Sequence, residues 1–192
     1  MNQHSDNTHT QEGSFLELFY NTLFSPEAAA HQIQFLREAH STKLFIYSVL
    51  IVLLSSLGLS VSEGGVGFIF QATVLWLLQV LLLTLLAWLF RPEGSKTDFG
   101  LVFFYCAFAQ APLVFLGLAK LWANSPLIPT TLPTVICFAW SICLWAWAIS
   151  NSLQISNFRA GIIVLLAILA PVLAVVALFA FILIFIISLV LG

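Results

Sequence analysis

Apolar and polar positions along this chain do not alternate; they fall into blocks. Five long apolar runs cover roughly 43–62, 66–90, 99–121, 131–150 and 160–191. At 1.5 Å of rise per residue, each run is long enough to cross about 30 Å of hydrocarbon. Lipid offers no water to satisfy backbone N–H and C=O groups, so each run is expected to be a helix. The breaks between runs are Ser62-Glu63-Gly64-Gly65, the stretch from Arg91 to Lys96, Asn124-Ser125-Pro126 with Pro129 and Pro133, and the stretch from Asn151 to Arg159. Gly and Pro punctuate most of them, and the last relies on Asn and Ser.

Two prolines fall inside runs. Pro112 interrupts the third and frees a backbone carbonyl near residue 108, for Gln110 or a neighbouring helix to satisfy. The interruption serves either as a packing kink or as the unwound element of a transport site. Pro171 predicts a kink or tilt in the fifth run, which is longer than a bilayer requires. Ala167, Ala170, Ala174 and Ala177 follow 3-4-3 spacing there, a small-residue face for bundle packing or for a subunit interface.

Ahead of the runs the pattern changes. Residues 1–13 are polar and are read as a disordered tail. Residues 14–42 are too polar to cross a bilayer and too apolar to be idle. Ser14-Phe15-Leu16-Glu17 has the form of a capping box, so a helix starts there. Phe15, Leu18, Phe19 and Leu23 recur at three- and four-residue steps, with Leu16 and Phe24 flanking and Glu17, Asn21 and Thr22 largely elsewhere. Ser25-Pro26-Glu27 marks a second start: Ser25 as cap, Pro26 at the first helical position, Glu27 at the positive dipole end. Ala29, Ile33, Leu36 and Ala39 make that helix's apolar stripe. The expected class is therefore an all-α integral membrane protein. A short amphipathic cytosolic helical segment (14–42) precedes a five-helix membrane domain (43–192). The segment lies along the membrane surface or against the bundle's cytoplasmic face, as an anchor or as a docking face for a partner.

Composition agrees. Of 192 residues, 61% are hydrophobic and 7% charged, against about 25% charged in a soluble domain, so lipid must solvate most of this surface. The positive charges orient it. Arg37, Lys43, Arg91, Lys96 and Arg159 fall on one side and only Lys120 on the other. The positive-inside rule then puts the N-terminus in the cytoplasm and the C-terminus on the opposite side. Trp88, Trp122 and Trp140 are read as interfacial, and Trp76, Trp145 and Trp147 as deeper packing residues. Six Lys and Arg spread along the chain form no basic patch, which argues against nucleic acid as a partner. No charged region followed by an apolar core marks a signal peptide.

Chemistry is sparse. No ionisable residue falls near the middle of a run, no hydrolase or zinc motif occurs, and all four histidines precede the membrane. Neither a metal nor a cofactor is expected. Cys106, Cys137 and Cys143 are read as small buried hydrophobes. The deep polar residues are uncharged: Gln71, Gln79, Thr84, Tyr105, Gln110, Thr134 and Ser141. They either hydrogen-bond between helices or line a polar path.

The stretch Leu23-Phe24-Ser25-Pro26-Glu27 ahead of five apolar runs resembles the YIP family, the Yip-one domain proteins, in its bacterial and cyanobacterial form. Ala109-Gln110-Ala111-Pro112, the stretch from Trp140 to Ala148, and Ser156-Asn157-Phe158-Arg159-Ala160 are similar to the family pattern as well. The resemblance covers roughly 14–192. It implies a five-helix membrane domain with a cytosolic N-terminus, in a plasma, inner or thylakoid membrane. Eukaryotic members act in vesicle trafficking and membrane organisation, binding small GTPases and one another. The expected function is a non-enzymatic scaffold or adaptor that organises a membrane process, with Phe19, Leu23, Phe24, Pro26 and Glu27 as its docking residues. Its partners are the lipid bilayer and either another protein or a second copy. A small transporter or channel subunit, using Gln71, Gln79 and Gln110 with the breaks at Pro112 and Pro171, is the second reading.

Overall fold

A computed structural model describes residues 14–63, 67–90, 98–122 and 131–191. The tail 1–13, Arg91 and Lys96 lie outside the described residues. All elements among the described residues are helical: α1 (Phe15–Phe24), α2 (Pro26–Ala39), α3 (Ser41–Glu63), α4 (Gly67–Leu89), α5 (Phe99–Phe108), a 3₁₀ turn (Ala111–Leu113), α6 (Val114–Trp122), α7 (Thr131–Leu153) and α8 (Asn157–Leu191). Five spans are long and apolar enough to cross a membrane: α3, α4, the broken span α5–α6, α7 and α8. The chain is an integral membrane protein.

The broken span sits in the middle. It is the most buried of the five, and it packs on α3, α4 and α7, while α8 closes the circuit between α7 and α4. Small residues set the closest approach. An added Cβ on Gly58 of α3 would meet the Leu113 carbonyl oxygen at 2.4 Å, and one on Gly117 of α6 would meet the Gly58 Cα at 3.4 Å. Helices that gain nothing from excluding lipid associate by close packing of this kind. Hydroxyls add to it. Ser56 of α3 and Thr73 of α4 share a hydrogen bond of 3.2 Å, and Ser55 donates to the Gln110 carbonyl at 2.9 Å. That second bond satisfies the backbone at the break, which also takes Leu113 N–H at 2.9 Å.

α1 and α2 form an antiparallel hairpin. Ser14 caps α1 by accepting from the Glu17 N–H, but Glu17 does not reach back. Its carboxylate accepts from Gln32 of α2, whose own amide oxygen accepts from Asn21. Ser25 makes no side-chain cap; its N–H instead closes α1 on the Asn21 carbonyl, and Pro26 opens α2. α1 buries Leu18, Thr22 and Leu23. Thr22, placed by its spacing on the wet side, is buried because its hydroxyl is satisfied by the Leu18 carbonyl one turn back. α2 buries Ala29, Ala30, Ile33 and Leu36, and leaves Ala39 exposed.

α2 lies lengthwise on α5. Arg37 pairs with Asp98 at the start of α5. Seven residues along both helices, the Tyr105 hydroxyl donates to the Ala30 carbonyl at 3.3 Å. Equal steps in opposite directions mean that α2 runs antiparallel to α5. Further along, Phe19 meets Phe115 of α6 and Phe24 meets Trp140 of α7. Trp140 is thus a mid-helix contact residue, nine positions into α7, rather than one at a helix end.

α8 has 35 residues and continues through Pro171. Ala160, Ile163, Val164 and Ala167 are buried against the bundle, whereas every residue from 171 to 182 is exposed. Only the first part of the alanine face is therefore packed: Ala174 and Ala177 point outward. The junction before α8 is a Schellman turn, with Ile155 N–H on the Ser150 carbonyl and Gln154 at φ 53°.

Candidate functional site

The break in the third span builds a polar centre inside an apolar bundle. α5 stops at Phe108 because Pro112 has no N–H to offer the preceding turn, and the chain tightens through the 3₁₀ turn. This points the buried Gln110 side chain between α4 and α7. With its carboxamide oxygen turned to the two indoles, Gln110 accepts from Trp76 Nε1 at 3.2 Å and from Trp145 Nε1 at 3.3 Å. Both tryptophans are buried. One glutamine thus joins three spans, and Trp76 and Trp145 are hydrogen-bonded rather than only packed, whereas the buried Trp147 Nε1 has no partner among the described residues.

Beside this triad lies a cavity of about 440 Å³. Gln110, Trp76 and Trp145 form one wall, with Gln79 of α4 and Ser141 of α7 beside them; Leu59, Leu113 and Ile168 supply apolar surface. Leu75, Phe138 and Ile142 also line it and are exposed, so they stand at its mouth. No charged side chain is among the lining residues. Ser141 is 5% exposed, and its hydroxyl has no hydrogen-bond partner among the described residues. A helical serine ordinarily bonds the carbonyl one turn back, as Thr73 and Thr84 do here.

The other candidates divide. Gln71 is exposed, not buried. α4 turns Trp76, Val80, Leu83 and Ala87 to the bundle, and Gln71 falls off that stripe. Thr84 bonds its own helix and does not bridge to another. Cys106 and Cys137 are buried, while Cys143 is exposed on α7. Among the docking candidates Leu23 is buried, Phe19 is half-buried against Phe15 and Phe115, and Pro26 is intermediate. Phe24 and Glu27 are exposed. Leu16 and Tyr20, which the spacing did not single out, share the exposed side of α1 with Phe24, and the Tyr20 and Phe24 rings lie 4.9 Å apart. Of the positive residues, Arg37 pairs with Asp98, Lys43 lies 6.0 Å from the Tyr47 ring centroid, and Arg159 is exposed at the start of α8.

Comparison with family models, with curated proteins and with solved structures gives no match. The function is therefore argued from the chain's own geometry.

Proposed function

We propose that this protein is a non-enzymatic membrane scaffold or adaptor of the YIP kind, with the hairpin as an amphipathic cytosolic segment. Its membrane is a plasma, inner or thylakoid membrane. The observation that carries the reading is a helical hairpin, distinct from the five spans, that is fixed against their side. α2 is held on α5 by an ion pair and a tyrosine hydrogen bond, ring contacts hold α1 on α3, α6 and α7, and α1 still exposes Leu16, Tyr20 and Phe24. Exposed rings on a rigid element suit partner recognition, because they bury large area at small entropic cost. Glu27 adds a charge at the tip of the platform, and Phe19 and Leu23 support it from beneath.

The test is photo-crosslinking from position 20 or 24 in native membranes. One discrete protein, captured at Phe24 and lost in a Leu16→Ser/Tyr20→Ser variant that keeps its thermal unfolding midpoint, supports the adaptor. Lipid alone, or the protein's own helices, would make the hairpin an anchor and end this reading.

A second reading, a small transporter or channel subunit, draws on the broken third span with Gln79 and Gln110 on one cavity. Its test is flux of uncharged polar solutes into proteoliposomes, abolished by Gln110→Leu. Wild-type vesicles no leakier than protein-free ones would remove it.

A further inference from the structure

We infer that the cavity between α4 and α7 is a binding site for a neutral amphiphile drawn from the bilayer: an uncharged hydroxyl- or carbonyl-bearing head at Ser141, with an apolar tail running out past Leu75, Phe138 and Ile142. Four observations converge. The cavity volume of about 440 Å³ falls within the range of ligand pockets. Its surface is apolar, with a few polar groups gathered on one wall, the arrangement that fixes orientation and selects a head group. The Ser141 hydroxyl lines that wall, buried and without a partner, and an orphaned buried hydroxyl is costly unless something bonds to it. Finally, the opening faces lipid. α8 covers this side of the bundle up to Ile168 and is wholly exposed from Pro171 to Ile182, which leaves the mouth residues uncovered.

Charge decides the head group. No Lys, Arg or His lines the cavity, so a phosphate head would be desolvated without a counter-charge. A hydroxyl or ester carbonyl would need only the hydrogen bond that Ser141 can give or take. The Gln110 carboxamide oxygen is committed to the two indoles and holds Trp76 and Trp145 in place, so its part is positioning.

The experiment uses the full chain in phosphatidylcholine nanodiscs with a photoactivatable diacylglycerol. The expected result is saturable labelling of peptides from α4 and α7. Excess diacylglycerol competes it away and excess phosphatidylglycerol does not. Ser141→Ala, which removes the hydroxyl and adds no bulk, should lower apparent affinity about tenfold. Ala72→Phe, which fills the cavity, should abolish labelling. If Ala72→Phe does not fold, as judged by its unfolding midpoint, Ser141→Ala alone decides. Labelling that fails to saturate, that phosphatidylglycerol competes equally, or that Ser141→Ala leaves unchanged would overturn the site. So would crosslinks from these positions into a second copy of the chain. None of these outcomes bears on the α1 face, so this site and the adaptor stand or fall separately.

Discussion

At the residue scale, the bundle depends on a few positions where little room is left. Gly58 is the tightest. A methyl group there would lie 2.4 Å from the Leu113 carbonyl oxygen and 3.1 Å from that of Val114, and backbone atoms cannot step aside as a flexible side chain can. Gly58→Ala should therefore push α3 off the broken span and cost about 2 kcal/mol, a typical overpacking penalty. Gly117→Ala faces the same seam from the other side, but its methyl would meet Gly58 Cα at an ordinary 3.4 Å. Its expected effect is within about 0.5 kcal/mol. Thermal unfolding in one detergent compares the two directly; equal losses would mean that the contact is looser than the geometry indicates. Gln110 works differently. It stabilises by satisfying two indole N–H groups at once, and so ties α4 and α7 to the span between them.

Elements obey rules that are partly local, and this decides how much was legible beforehand. Five apolar runs became five spans, and the Pro112 break and the start of α1 at Ser14 followed from covalent and capping chemistry within a few residues. The polar centre was legible only as a set of uncharged deep residues. Spacing along the chain does not tell that Gln110 joins Trp76 and Trp145 from two other spans while Gln71 faces out, because every side of these helices is apolar. The same limit hid Thr22 in the core and Tyr20 on the surface. The antiparallel docking of α2 on α5 could not be read from the sequence either, since its contacts join residues 61 and 75 apart. It can be tested as an element. The Arg37–Asp98 pair is about two-fifths exposed and contributes at most about 1 kcal/mol. The Tyr105 hydroxyl bond is buried and should contribute about as much again. Arg37→Gln with Tyr105→Phe should then raise the opening equilibrium of α1–α2 by about tenfold, with the five spans intact. Amide exchange read by mass spectrometry should show faster exchange in 15–39 and no change in α3 or α7. Faster exchange throughout would mean that the hairpin is part of the global fold and not a platform on it.

For the whole molecule, an odd number of crossings separates the two ends of the bundle. The starts of α3, α5 and α8 and the ends of α4 and α7 share one side, and Arg37, Lys43 and Arg159 lie there with the base of the hairpin. Translocating a positive flank is disfavoured, which is the physical content of the charge rule, and it predicts that this side faces the cytoplasm. α8 is consistent with either orientation: at 1.5 Å per residue its 35 residues span about 52 Å, well beyond a hydrocarbon core of about 30 Å. Cysteine accessibility decides the matter. With Cys106, Cys137 and Cys143 replaced by alanine, single cysteines at His40, Ser156, Gly67 and Thr131, all exposed at helix ends, report on both sides. In right-side-out vesicles a membrane-impermeant maleimide should label Gly67→Cys and Thr131→Cys at once. His40→Cys and Ser156→Cys should react only after the vesicles are opened. The reverse pattern would put Arg37 and the base of α1–α2 outside the cell, on the side that no cytosolic partner reaches. The adaptor proposal would then fall, while the lipid-facing cavity would keep its argument unchanged.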